Sequence, residues 1–216
     1  MKKLFSELLD GFFHKEHFTK RLFIVILAVI TMGFSLSWLI QVDMGTDPCT
    51  MMNQAISGKL GLSLGNWQAI FNTILLILVV VFGGRNLGFG TLANMFLVGY
   101  SVDFFTFLLN RLIPHEIFMI PWVRILIFLP ALALFVVAAS VYMDIDMGTA
   151  PYDAIPFILS KKLSQIPFKV IRIGYDCTAI LIGLLLGGKL RIVTILMALT
   201  LGPVITFVGK KLEKFL

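Results

Sequence analysis

Long apolar stretches separated by short polar connections run through almost the whole chain. Six of them, at about 21–41, 66–83, 87–109, 122–143, 168–187 and 190–209, match the roughly 20 residues that a helix needs to cross a bilayer. They fall into two sets of three. Between the first and second stretch of each set lies a longer, more polar segment, 43–65 and 146–167. Each segment opens with glycine and proline and continues at helical spacing, which predicts a short amphipathic helix. Ahead of the first stretch, Leu4, Phe5, Leu8, Leu9, Phe12 and Phe13 recur at helical spacing, with Lys2, Lys3, Glu7 and Asp10 elsewhere. That pattern predicts an interfacial helix within residues 1–20, lying on the bilayer; a partner-binding helix is the alternative. The first apolar stretch begins too late and runs too long for a cleaved signal peptide, so it is expected to remain as the first span.

The two sets are copies. Asp43-Met44-Gly45-Thr46-Asp47-Pro48 returns as Asp146-Met147-Gly148-Thr149-Ala150-Pro151, an offset of 103 residues. The same offset, without gaps, pairs Arg21 with Arg124, Ser37 with Ser140, Ser57 with Ser160, Thr91 with Thr194, Gly99 with Gly202 and Phe104 with Phe207. Self-similarity at a fixed offset marks a duplicated unit, here residues 21–113 and 114–216. Three spans per unit is an odd number, so the second copy enters the membrane from the opposite face. The repeats are then inverted about an axis in the membrane plane. Charge agrees with this. With the N-terminus inside, only Lys59, Arg111, Arg124, Lys189 and Arg191 of the 18 Lys and Arg lie outside, as the positive-inside rule requires. The segment after Asp43 carries Lys59 alone, whereas its counterpart carries Lys161 and Lys162, with Lys169 just beyond. The expected fold is an all-α membrane protein of six transmembrane helices, built as two inverted three-helix repeats, each with a short motif helix after its first span.

Composition narrows the function. The chain is 58% apolar with a mean hydropathy of +0.95, which leaves little for a soluble domain. Its net charge of +6 sits at the ends of apolar stretches, so it calls for no nucleic acid. Cys49 and Cys177 have no metal-ligand spacing, and the pair His14 and His17 lacks a third ligand. No metal and no cofactor are expected. No Ser/His or Cys/His constellation and no GxxxxGK[ST] loop is present, which argues against an enzyme and against an ATP-driven pump on this chain alone.

The repeated motif is a helix start. Pro48 and Pro151 suit the first helical position, with Thr46 or Asp47, and Thr149, as candidate N-caps. A helix that begins inside a membrane protein presents free amide hydrogens and partial positive charge. Two such ends entering from opposite faces would meet near the midplane. Asp103, Asp176, Asn72 and Tyr175 place polar groups within spans, where an ionisable residue is a functional candidate; Gln68, Asn94 and Tyr100 join them. The expected substrate-binding set is Asp43, Gly45, Thr46, Asp47, Asn72, Asp103, Asp146, Gly148, Thr149, Asp153, Tyr175 and Asp176. Simpler readings exist. The motifs could be interfacial turns, Asp176 could serve a structural ion pair with Arg172 four residues earlier, and Asp103 could sit near a helix end. The glycines of the third and sixth stretches could serve close packing alone. Asp47 aligns with Ala150, and Asp153 with Thr50. Any central site is therefore asymmetric, with acid from both halves, and suits a cation or a proton step as well as an anion.

The motif, the span beginning near Trp67, the stretch from Gly90-Thr91 to Gly99, and their recurrence through Ala150-Pro151, Thr194 and Gly202 carry a resemblance. The chain resembles the YczE/YyaS/YitT-type group of small bacterial integral membrane proteins. The resemblance implies a bacterial inner-membrane location and leaves the substrate open. The function expected from the residues is secondary transport of a small polar metabolite by alternating access. A membrane scaffold for an enzyme complex, or a channel, is the alternative. The expected partners are the lipid bilayer, a small-molecule substrate and a second copy of the chain in a homo-oligomer.

Overall fold

The computed structural model describes residues 17–82 and 87–212; the helix expected over residues 2–13 lies outside them. The described residues form eight α-helices and no strand. They are α1 Phe18–Gln41, α2 Pro48–Leu60, α3 Leu64–Val81, α4 Phe89–Leu112, α5 Pro121–Asp144, α6 Pro151–Lys162, α7 Phe168–Leu185 and α8 Ile192–Leu212. A 3-10 turn at His115–Met119 joins α4 to α5.

Five helices, α1, α3, α4, α5 and α8, are long and apolar enough to cross a membrane. The remaining expected span corresponds to α7, which carries Lys169, Arg172 and Asp176 within its 18 residues and so stands apart in composition. Phe23, Ile77, Phe104, Leu126 and Ile192 are all more than half exposed. Water would penalise so much outward apolar surface, whereas lipid accommodates it. The protein is thus a multi-pass helical membrane protein.

Packing is organised around α1, which lies along both α4 and α5. Val25, Val29, Leu36 and Leu39 of α1 are fully buried or nearly so. The approach to α4 is close because Gly33 has no side chain; a Cβ there would collide with Ser101 Cβ and lie 2.9 Å from the carbonyl oxygen of Val98. α1 and α5 run antiparallel, and each is fastened to the other at both ends. Arg21 near the start of α1 donates to the carbonyl of Ile145 just past α5. Arg124 near the start of α5 donates to the carbonyls of Val42 and Asp43 just past α1. Other contacts come in matching pairs: α1–α4 with α5–α8, α3–α4 with α7–α8, and α2–α7 with α6–α3.

The two motifs share one backbone path. Asp43 and Asp146 take φ of 45° and 51°, and Gly45 and Gly148 take 121° and 117°. The glycines are required there, since side chains avoid that region. Pro48 and Pro151 each occupy the first turn of the following helix. The N-caps therefore fall one residue earlier, on Asp47 and Ala150, and not on Thr46 or Thr149. Asp47 caps α2 by accepting from Thr50 N–H at 3.0 Å, and Ala150 offers no side-chain cap.

Each motif is gripped by the last helix of the other half. At the start of α4, Gly90 N–H donates to the Met147 carbonyl at 2.8 Å and Thr91 Oγ1 to the Thr149 carbonyl at 2.9 Å. At the start of α8, the Arg191 guanidinium pairs with the Asp43 carboxylate. Gly45 packs there so tightly that a Cβ would lie 2.9 Å from Arg191 Cβ and 3.1 Å from Thr194 Oγ1.

Candidate functional site

α2 and α6 deliver their first turns into one cavity of about 660 Å³. From the first motif Asp47, Pro48, Cys49 and Thr50 line it, and from the second Ala150, Tyr152 and Asp153. α3 contributes Gln68 and Asn72, α4 contributes Asn94, and α7 contributes Arg172 and Asp176. The lining also includes Phe168 and Lys169 at the start of α7 and Lys210 near the end of α8. Both lysines are exposed, so they mark the mouth. The opposite end is fastened by Arg124 on the Val42 and Asp43 carbonyls and by the Asp43–Arg191 pair, with Lys189 Nζ 3.7 Å from Asp43.

Arg172 is the hub. Its NH1 lies 2.7 Å from Asp153 Oδ1 and its Nε 3.1 Å from Asp176 Oδ2. Tyr152 O–H donates to the other oxygen of Asp176 at 2.9 Å, and the guanidinium carbon sits 5.6 Å from the centre of the Tyr152 ring. The ion pair between Arg172 and Asp176 expected from their spacing is therefore made, and it is half of a larger arrangement. Arg172 ties α7 to α6 as well as to its own next turn. Tyr175 packs against Tyr152 with ring centres 4.6 Å apart and the ring planes tilted by 45°, a step back from the lining. A charge this deep in an apolar protein is tolerable because the guanidinium and both carboxylates satisfy one another.

Of the expected substrate residues, the cavity gathers Asp47, Asn72, Asp153 and Asp176. Asp43 lies at the fastened end, engaged by Arg191 and Lys189. Gly45, Gly148 and Thr149 shape and hold the motifs, and Thr46 is buried beside them. Asp146 belongs to the turn after α5. Asp103 serves α3, accepting from Gly65 N–H at 2.9 Å, and is not in the lining. Gly99 does pack closely, 2.7 Å from Gly65 Cα if given a Cβ, whereas a Cβ on Gly202 would meet nothing within 4 Å.

Several lining residues escaped the expected set. Arg172 was visible only as the partner of Asp176, because its second carboxylate lies 19 residues away in sequence. Tyr152 sits in the first turn of α6, where a tyrosine signals nothing by spacing. Asn53 carries a weak signal as a polar residue on the buried face of α2; it accepts from Trp67 Nε1 at 2.9 Å and is 1% exposed. Among the described residues, no group of three His, Cys, Asp or Glu side chains is placed to hold a metal ion. What the arrangement offers chemically is recognition: three carboxylates, one guanidinium and several carboxamides in a chamber with substantial apolar walls.

Comparison with known proteins places the chain among membrane proteins of undetermined activity. It is 24% identical to the uncharacterized membrane protein YczE of Bacillus subtilis (strain 168) over 180 residues, covering 83% of this chain and 80% of that one. An uncharacterized protein of Haemophilus influenzae is 23% identical over 188 residues, covering 87% and 83%. The uncharacterized protein YyaS of Bacillus subtilis is 23% identical over 133 residues, covering 62% and 64%. The expected likeness to YczE and YyaS is thereby found. No solved structure matches. Residues 19–210 match the family of unknown function DUF6198, and the chain belongs to that family.

Proposed function

We propose that this protein is a small secondary transporter of the bacterial inner membrane, moving a small polar metabolite by alternating access. In this reading the six longer helices α1, α3, α4, α5, α7 and α8 span the membrane as two inverted repeats, and both termini are cytoplasmic. The short helices α2 and α6 dip in from opposite faces and carry their first turns to a central site. The protein does no covalent chemistry on its cargo. The observation that carries this reading is the convergence of Asp47–Thr50 and Ala150–Asp153 on one cavity, where they bring charged and polar groups between largely apolar walls.

Three further features support it. The reciprocal Arg21 and Arg124 contacts and the matching helix pairs are what a two-fold axis in the membrane plane would generate. The mouth lies at the end carrying Lys169 and Lys210, which the positive-inside rule assigns to the cytoplasm. The other end is held by ion pairs and carbonyl hydrogen bonds, contacts that can break and re-form without disturbing an apolar core. The described form then corresponds to the inward-open state.

Reconstitution tests the proposal. Purified protein in proteoliposomes is screened on solid-supported membranes against a panel of small polar metabolites, followed by counterflow for any that respond. Saturable, protein-dependent flux is expected. A linear conductance without saturation would replace the transporter with a channel. No flux for any member of the panel, with the protein folded, would favour the scaffold reading.

A further inference from the structure

Two carboxamides in the cavity wall are placed unusually. Gln68 and Asn72 lie one turn apart on α3, are 6% and 8% exposed, and both line the cavity. Among the described residues neither has a hydrogen-bond partner. Their carboxamide atoms face the cavity rather than the packed interior, and a polar group with no protein partner does not help to hold the fold. Asn53 shows the contrast: equally buried, it uses both ends, accepting from Trp67 and donating to Cys49 Sγ at 3.3 Å. Gln68 and Asn72 are placed for something that enters.

The charge of the chamber says what enters. Asp47, Asp153 and Asp176 face a single deep cation, Arg172, and Arg172 is already engaged by two of them. Asp176 is further occupied by Tyr152. Among the described residues, Oδ2 of Asp153 accepts no hydrogen bond, and the Asp47 carboxylate is met by Thr50 and by no cation. The partial positive charge of the α2 and α6 N-termini, roughly half a unit each, offsets only part of this excess. Lys169 and Lys210 stand at the mouth rather than beside the carboxylates. Tyr142 in the lining adds the kind of surface on which cations settle, whereas the Tyr152 ring already carries Arg172.

We infer that the cavity binds a small organic cation, an amine or guanidinium on a short carbon chain with a second hydrogen-bonding group. Asp47 and Asp153, both in the lining, meet the charge, and Gln68 and Asn72 meet the polar end. As cargo this rests on the transporter reading; as a binding site it stands separately.

Binding to the purified full-length protein tests it. Thermal shift and equilibrium binding are measured with putrescine, agmatine and choline as cations, mannitol as a neutral probe, and succinate and inorganic phosphate as anions. At least one cation is expected to raise the melting temperature saturably, and the anions are not. Asp47→Asn keeps the α2 cap, since Asn caps as well as Asp, so its unliganded melting temperature should match that of the wild type. Its affinity for the cation should fall about ten- to a hundredfold, as loss of a charged hydrogen bond implies. Binding of anions alone, of no cation, or of cations equally well by Asp47→Asn would overturn the inference and leave transport to be judged by flux. Cation binding that depends on Asp47 without any flux would keep the site and overturn the transporter.

Discussion

Arg21 and Arg124 make the same contact on opposite halves of the chain, each reaching the carbonyl that ends the other's helix. Arg21 NH1 lies 3.1 Å from the oxygen of Ile145. Arg124 Nε lies 2.7 Å from that of Val42, and its NH2 lies 2.9 Å from that of Asp43. The offset of 103 residues that pairs the two arginines also pairs Val42 with Ile145. A cation at a helix C-terminus meets both the free carbonyls and the negative end of the dipole. Arg124 makes two such bonds and Arg21 one. Arg124→Ala is therefore expected to lower the thermal midpoint in detergent further than Arg21→Ala, with a loss of about 1.5–3 kcal/mol per charged hydrogen bond. The two lie at opposite ends of α1, so the double variant should be additive. Equal effects of the two single variants would contradict the asymmetry.

The turn geometry makes a second contrast. Gly45 and Gly148 both hold φ near 120°, where an alanine is strained. Their surroundings differ: a Cβ on Gly148 would lie 2.6 Å from both Gly88 N and Thr91 Oγ1, whereas one on Gly45 would lie 2.9 Å from Arg191 Cβ. Backbone cannot yield as a side chain can. Both alanine variants should lose stability, by about 1–3 kcal/mol from overpacking in addition to backbone strain, and Gly148→Ala should lose more. Thermal unfolding of the pair decides it.

Much of this frame was legible in the chain. Period and length located the helices to within three residues at their ends, and the repeat located both motif turns. Proline at the first helical position places the cap on the residue before it, and that rule points to Asp47 and Ala150 over the threonines. The site was only partly legible because its decisive contacts join residues from different helices. Nothing in the spacing ties Asp153 to Arg172, which meet only when α6 packs on α7. Asp103 looked functional because it is acidic within a span, yet its carboxylate is taken by the Gly65 amide. A carboxylate's partner, rather than its depth, separates scaffold from site.

Arg172 gives the clearest separation of charge from geometry. Arg172→Ala leaves Asp153 and Asp176 without their shared cation and should lower the melting temperature. The loss of stability should be less than the roughly 3–5 kcal/mol of a fully buried pair, because the Arg172 and Asp153 side chains are 26% and 29% exposed. Arg172→Lys keeps the charge but not the fork that spans two carboxylates on different helices. It should fold with a smaller loss and still impair flux. Asp176→Asn should destabilise more than Asp153→Asn, because the Asp176 side chain is 6% exposed against 29%. Melting curves of the four variants test the order, and a smaller loss in Asp176→Asn than in Asp153→Asn would contradict it.

Gln68 and Asn72 should behave opposite to ordinary buried polar residues. Where a carboxamide holds the fold together, as Asn53 does, replacing it costs stability. Where it faces the cavity and has no protein partner, an apolar residue of similar size breaks no hydrogen bond of the fold. Asn72→Leu should therefore melt at or above the wild-type temperature while losing flux, and Gln68→Leu should do the same. Asn53→Leu should melt lower. A lowered midpoint in Asn72→Leu would assign that residue to the scaffold.

The two cysteines report which end of the cavity is open. Cys49 is half-buried and lines the cavity, whereas Cys177 is exposed on α7 and is not in the lining. In a Cys177→Ser background, thiol modification reports the chamber alone. The mouth at Lys169 and Lys210 predicts that a membrane-impermeant maleimide reaches Cys49 from the cytoplasmic face in inverted vesicles and scarcely from the outer face of intact cells. The end opposite the mouth, which the proposed orientation places outside, is held in part by the Asp43–Arg191 pair. Asp43→Asn removes that attraction but leaves the Arg124 bonds to the backbone carbonyls. It should therefore raise labelling from outside without unfolding the protein. Ready labelling of Cys49 from outside in the unmodified background would place the opening at the wrong end. Unchanged outside labelling in Asp43→Asn would show that the carbonyl contacts of Arg124 hold that end shut by themselves.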